Sequence, residues 1–271
     1  MMGPIDLFRG ARRLISKQFG NESPELGYSY RPGDVVVEDY AEFSGIPLNA
    51  VADKARSVNT ERVNARDWDA LGTGSFSERA TKFYVASQNF VFGTLSGNPR
   101  PEAVIEKLDR FNPRIMAAIR AHPGKRFFEF GAGIGVFCEI VARMGKDVYY
   151  MELPGLEFDF AQWRFKKYGL KVTAIEAKAD GIYLSGKYDI LYTDAVIEHL
   201  PHELQVEATK AIGQAVDTGG LLIFLVDLSG PTADDPYHHV VDIRILHDHL
   251  IASGLRCDDG FQTFCSIWRR P

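Results

Sequence analysis

Cysteine is scarce: three residues in a chain of 271, Cys138, Cys257 and Cys265. No two form a CxxC pair and the count is odd, so neither a zinc knuckle nor a disulfide framework is expected. The expectation is three reduced thiols in a cytoplasmic protein. A basic surplus is missing as well. The chain carries 31 Lys and Arg against 36 Asp and Glu, a net charge of -5. Proteins that grip a phosphate backbone carry the opposite balance, so no nucleic-acid partner is expected. No apolar run approaches the ~20 residues of a membrane span. Residues 1–20 are mildly amphipathic and basic but lack the continuous apolar core of a signal peptide. They read as a docking helix or a frayed end.

What is present is a change of grammar near His122, Pro123 and Gly124. Before it, hydrophobic residues are scattered among Gly, Pro, Asn and charge. After it, strand-like and helix-like runs alternate, the pattern of an α/β domain with a mostly parallel sheet. Strands are expected over 126–130, 148–151, 172–175, 188–193, 221–226, 255–258 and 263–269. Helices are expected over 135–144, 158–168, 202–216 and 241–252. The last two strands, joined by a short turn at Asp259 and Gly260, form an antiparallel hairpin, so one strand at the end of the sheet is reversed. The run LLIFLV over 221–226 is continuous, as in a strand covered on both faces. The first half reads as mainly helical. Helices are expected over 46–58, 61–71 and 101–120, the last broken near Asn112 and Pro113. The division is therefore 1–122, a lid, substrate-binding or dimerisation region, and 123–271, the α/β core.

The most informative stretch is Glu129-Phe130-Gly131-Ala132-Gly133-Ile134-Gly135. It follows an expected strand and opens an expected helix, the context in which a glycine loop cradles a nucleotide. Glycines allow a tight turn and close approach of the backbone to a ligand. The spacing is GxGxG, not the GxGxxG of dinucleotide sites, since position 136 is Val. Glu129, two residues ahead of the first glycine, would repel a pyrophosphate but can receive a cationic group.

Here the sequence resembles the class I S-adenosylmethionine-dependent methyltransferases, over roughly residues 124 to 271. Four segments match in order. The first is EFGAGIG; in the family this loop packs against the methionine part of the cofactor. The resemblance thus assigns cofactor-binding roles to Glu129, Gly131, Ala132, Gly133 and Gly135. The second is the acidic end of strand two. Glu152, with Leu153 beside it, matches the acid that accepts hydrogen bonds from both ribose hydroxyls. The third is Asp180, which matches an Asp used against the adenine amino group. The fourth is TDAVIEHL over 193–200, similar to the family's fourth-strand segment and its VLEHL. The resemblance implies a seven-stranded, mostly parallel, Rossmann-like sheet with an antiparallel last strand. It also implies S-adenosylmethionine as cofactor and a methyl transfer.

Candidates for the acceptor side are Asp194, His199, His238 and His239. Asp194 either lines the methyl-transfer cavity and touches the cofactor or caps a turn. His199 is a candidate base, although its family counterpart is often structural. His238 and His239 fall in the loop after strand five, where ligands of this fold sit. A histidine there can deprotonate an acceptor hydroxyl or amine, or it can simply be a hydrogen-bonded loop residue. No metal is expected: His238, His239 and Asp242 lack a further ligand pair at fixed spacing. The aromatics Phe83, Tyr84, Phe90 and Phe92, with Tyr28 and Tyr30, form either a substrate lid or core. TDAVIEHL lacks the Asn-Pro-Pro-aromatic signature of methylases of adenine or glutamine amides. Together with the acidic charge, this favours a small-molecule metabolite or natural-product intermediate, with O, N and S acceptors all open. Two rivals remain: transfer of another S-adenosylmethionine-derived group, and a binding or scaffold protein without turnover. A homodimer is compatible with either reading.

Overall fold

The computed structural model describes residues 28–258 and 264–271. The expectations for residues 1–20 and for the turn at Asp259 and Gly260 lie outside the described residues. The described residues begin with seven α-helices: α1 (Val35–Ser44), α2 (Leu48–Thr60), α3 (Val63–Ala70), α4 (Phe76–Ala80), α5 (Gln88–Gly97), α6 (Pro101–Phe111) and α7 (Arg114–Ala121). A single π-helical turn, Thr81–Val85, continues α4. Then come β1 (Arg126–Phe130), α8 (Val136–Arg143), β2 (Asp147–Glu152), α9 (Leu156–Lys167), β3 (Val172–Glu176) and β4 (Tyr188–Asp194). They are followed by α10 (His202–Ala215), β5 (Val216–Leu225), α11 (Ile243–Ala252), β6 (Arg256–Cys257) and β7 (Cys265–Arg269).

The seven strands lie in the order β3-β2-β1-β4-β5-β7-β6. The first five pair in parallel. β7 runs antiparallel to both β5 and β6. The reversed last strand is as expected, but it sits one place in from the edge, between β5 and β6. Strand order reverses at β1 and β4, and the crevice at their carboxyl ends is where ligands of open α/β sheets bind.

Alternation along the strands explains the continuous apolar runs. Phe127, Ile190, Leu221 and Ile223 enter one buried cluster, and their neighbours Phe128, Leu191, Leu222 and Phe224 enter the other. Both faces of the sheet are therefore covered. β5 starts five residues earlier than the apolar run suggests, because Gly219 and Gly220 belong to the strand. Gly219 has φ +73, and a Cβ on Gly220 would stand 2.6 Å from the Asp217 carbonyl oxygen. The register accordingly shifts between Tyr188 and Ile190.

The break at Asn112 and Pro113 separates α6 from α7 as expected. Helices α1 and α5 have no counterpart in the sequence reading. The apolar cluster on the α8/α9 side of the sheet extends into this region through Val36, Tyr40, Phe92, Leu108 and Ile115. A buried ion network crosses the same boundary. Arg164 of α9, fully buried, donates from Nε to Asp39 of α1 at 2.9 Å and from Nη2 to Glu139 of α8 at 2.6 Å. Lys167 Nζ reaches Asp39 at 2.8 Å, and the Tyr168 hydroxyl donates to the same carboxylate. Among the described residues, no helix is long and apolar enough to cross a membrane.

Candidate cofactor and acceptor site

The glycine loop owes its spacing to its backbone. Gly131, Gly133 and Gly135 have φ of +69, +49 and +71, so every second residue is left-handed, a conformation L side chains rarely adopt. Two of the three are also held by neighbours. A Cβ on Gly131 would meet Val196 Cγ2 at 2.4 Å, and one on Gly135 would meet Phe165 Cζ at 2.6 Å. The loop is tied to the end of β2: the amides of Gly131 and Ala132 both donate to the Met151 carbonyl, each at 3.0 Å. The Tyr150 hydroxyl donates to the Gly133 carbonyl at 2.6 Å.

Glu152 completes this cradle. Its Oε2 accepts from the Gly133 amide and its Oε1 from the Leu153 amide, each at 2.7 Å. Burial pushes its carboxyl up, and these two backbone donors oppose the shift. Glu129, 6% exposed, accepts a hydrogen bond from the Cys138 thiol at 2.9 Å. Burial raises the Glu129 carboxyl to about 8, with Asp194 and Glu152 adding repulsion. A third acid, Glu157 at the start of α9, is 8% exposed and is likewise raised by burial, then by Glu152, to about 8. Asp194 differs: it stands 3.3 Å from Lys107 Nζ of α6 and accepts from the Tyr192 hydroxyl at 3.2 Å.

Glu129, Glu152, Glu157 and Asp194 line one cavity of about 440 Å³ with Gly131 and Gly133. Its other end is aromatic. His199 stacks on Tyr237 with ring centres 5.7 Å apart, and its Nδ1 lies 3.1 Å from the Tyr84 hydroxyl. His238 packs edge-on against His199 at 4.6 Å. Burial, then the neighbouring His238 and His239, hold His199 well below the usual histidine range. Burial also lowers His238, against the pull of Asp235 and Asp227. Its Nδ1 is buried with no hydrogen-bond partner, 3.8 Å from Asp227 Oδ2. Both imidazoles are therefore neutral at pH 7.

Of the sequence-derived site residues, Glu129, Gly131, Ala132, Gly133, Glu152, Leu153, Asp194, His199 and His238 line the cavity. Three do not. Gly135 caps α8 and packs beneath Phe165 and Ala161 of α9, so its smallness serves helix packing. Asp180 is exposed, and its neighbours Ala179 and Gly181 face the cavity instead, where a local bridge pairs Lys178 with Gly181. The His239 ring packs on Phe76 at 5.9 Å, while its backbone amide is held by the Glu198 carbonyl. Glu198 itself is fully buried and accepts from the Asp227 amide at 3.1 Å, tying the loop after β5 to the turn after β4. Asp242 caps α11 through the Arg244 amide. Among the described residues, no group of three or more His, Cys, Asp or Glu stands close enough to hold a metal ion.

The aromatic set splits. Tyr84 and Phe90 line the cavity, whereas Phe83 and Phe92 are 1% and 2% exposed within the protein. Tyr28 and Tyr30 lie elsewhere, bonded to Asp34 and Glu38. Sequence reasoning missed Glu157, Lys107, Thr94 and Tyr237 as lining residues. The histidines of the loop after β5 mark this segment in the sequence, and Tyr237 adjoins them. Glu157 reads as an ordinary acid in a helix's first turn.

The acidic, bare-backbone end of the cavity suits a ligand with a cationic amino acid and a ribose. Carboxylates raised by burial and mutual repulsion are relieved by a positive charge, and Glu152 stands where the ribose acid is expected.

Comparison with known proteins agrees with this chemistry. A family model described as a methyltransferase domain matches residues 97–253, more than half of the chain. A ubiquinone biosynthesis O-methyltransferase from Burkholderia pseudomallei (strain 1710b) is 30% identical over 129 residues, covering 46% of this chain and 55% of that one. One of the same description from Brucella ovis is 28% identical over 142 residues, covering 45% and 55%. The chain thus spans about half the length of the curated relatives it matches. A solved S-adenosylmethionine-dependent methyltransferase from Clostridium acetobutylicum ATCC 824 shares the fold. Its TM-score is 0.53 at 12% identity, over 67% of this chain and 98% of that one. The chain belongs to the methyltransferase-domain family, on the class I, S-adenosylmethionine-dependent Rossmann-like fold.

Proposed function

We propose that this protein transfers a methyl group from S-adenosylmethionine to an O, N or S atom of a small-molecule metabolite or natural-product intermediate. The observation that carries the reading is continuity: the glycine loop and Glu152 share one cavity with Tyr84, His199 and His238. Its volume, about 440 Å³, falls in the range of small-ligand sites. When bound, S-adenosylmethionine supplies a methyl carbon already activated by positive sulfur. Glu152 and the Leu153 backbone would hold the ribose, and Glu129 with the Gly131 and Gly133 backbone would hold the amino-acid part. The protein's main task is then alignment of acceptor and donor. The N-terminal helices, through Tyr84 and Phe90, wall the acceptor end and exclude water.

Where the acceptor must lose a proton, His238 is the group to take it. Its imidazole is neutral at working pH, and Asp227 at 3.8 Å stabilises the charge that results. The Tyr84 hydroxyl engages His199 Nδ1, which makes His199 a support for the aromatic wall.

Methyl-labelled S-adenosylmethionine offered with fractionated metabolites tests the reading. Label is expected in a small-molecule product, and His238→Asn should cut product formation on the order of 100-fold while cofactor binding persists. Cofactor binding without any labelled small molecule would favour a scaffold role, and label on macromolecules alone would reject the substrate class.

The raised acids make a second expectation. Glu129 and Glu157, both near 8, are neutral in the empty cavity at pH 7 and must ionise to meet a cation. Binding of S-adenosylmethionine should therefore release protons below pH 8 and tighten from pH 6 to pH 9. Without cofactor the sign is opposite. An acid raised from 4.5 to about 8 by folding contributes stability that is fully present below 4.5 and lost as pH rises through 8. Calorimetry in buffers of different ionisation enthalpy reads the proton count, and zero release at pH 7 would refute the ionisation.

A further inference from the structure

Glu157 stands in the first turn of α9 and is more than nine-tenths buried. Its Oε1 has no hydrogen-bond partner. A buried carboxylate oxygen left bare is costly unless something else supplies a donor. The carboxyl lines the cavity, and its other oxygen, Oε2, stands 3.7 Å from where a Cβ on Gly133 would be. Because Gly133 has no side chain, Glu157 Oε2 and the glycine-loop backbone border the same space.

The wall opposite Gly133 is Thr94 of α5. Its methyl carbon is also 3.7 Å from that Cβ position, and its hydroxyl donates to the Phe90 carbonyl at 3.5 Å. Phe90, one helical turn before Thr94, faces the aromatic end of the cavity and packs against Tyr84 with ring centres 5.0 Å apart. Residues four apart share a helix face. One face of α5 therefore touches the cofactor cradle at Thr94 and the acceptor wall at Phe90.

Resting on the cofactor reading above, we infer that Glu157 is a second acidic ligand of the cofactor, accepting a hydrogen bond from its ribose hydroxyl or its ammonium group. Glu152 is anchored by the amides of Gly133 and Leu153, and Glu157 Oε2 faces the same glycine-loop space from α9. Glu157 thereby places the cofactor beside Thr94, on the helix that carries Phe90.

The test is calorimetry at pH 8.5 with three probes: S-adenosylmethionine, S-adenosylhomocysteine and 5′-methylthioadenosine. The last keeps the ribose and lacks the amino acid. Glu157→Gln, nearly isosteric, should weaken both sulfur cofactors about 10- to 100-fold, the range of a hydrogen bond to a charged group. Equal weakening of 5′-methylthioadenosine identifies the ribose as partner; an unchanged affinity for it identifies the ammonium. Thr94→Val, which leaves the Glu157 carboxylate in place, should cost less than tenfold. An unmoved affinity for all three probes in a folded Glu157→Gln protein overturns the inference alone. Absence of binding by the wild-type protein overturns the cofactor reading, and this inference with it.

Discussion

Arg164→Ala should lower the stability of the protein by about 3–5 kcal/mol, the cost of breaking a buried ion pair from one side. At the ~2–4 °C per kcal/mol expected for a chain of this size class, the melting point falls by at least ~6 °C. The size of the effect comes from what is left behind. Asp39 and Glu139, each 3% exposed, lose the guanidinium that bridges them. Two carboxylates then remain in the interior, with Lys167 and Tyr168 still on Asp39 and only Arg143 on Glu139. Asp39 belongs to α1 and Arg164 to α9, so the variant also loosens the N-terminal helices from the sheet domain. Adding Asp39→Asn and Glu139→Gln to Arg164→Met should restore much of the loss, because no unpaired charge remains. A urea melt showing less than ~1 kcal/mol of change for Arg164→Ala would mean that the network is energetically idle.

The second large effect is on binding. Glu152→Ala should weaken S-adenosylmethionine by about 100- to 1,000-fold, as expected if one carboxylate accepts hydrogen bonds from two ribose hydroxyls. The variant also strips the Gly133 and Leu153 amides of their acceptor, which loosens the loop itself. A folded Glu152→Ala protein with wild-type affinity would refute the ribose role. Gly131→Ala is a useful companion. Its Cβ would sit 2.4 Å from Val196 at φ +69, so the loop or the turn after β4 must move.

These contacts show which features were legible in the sequence. The glycine loop was, because three alternate left-handed residues demand glycine at the spacing observed. β4, β5 and the acidic end of β2 were, because strands covered on both faces leave continuous apolar runs. The helical half was less so. Its aromatic residues could not be sorted into wall and core, because the π-helical turn Thr81–Val85 breaks the 3.6-residue period on which such sorting rests. Phe83 turns inward and Tyr84 faces the cavity in consequence. Helix α1 hides its purpose in Asp39, an acid that looks solvent-facing until α9 brings Arg164 to it. Asp180 is exposed, between Ala179 and Gly181 that line the cavity, a placement that the spacing of the sequence does not resolve.

On the proposed function, the cradle of Gly131, Gly133, Glu129 and Glu152 binds a sulfur cofactor and not a dinucleotide. Titration of the wild-type protein with S-adenosylmethionine, S-adenosylhomocysteine and NAD in one calorimetric series tests it directly. Saturable one-to-one binding of the two sulfur compounds, with none for NAD, is the predicted result. Tight NAD binding, or no heat from either sulfur compound, would contradict it.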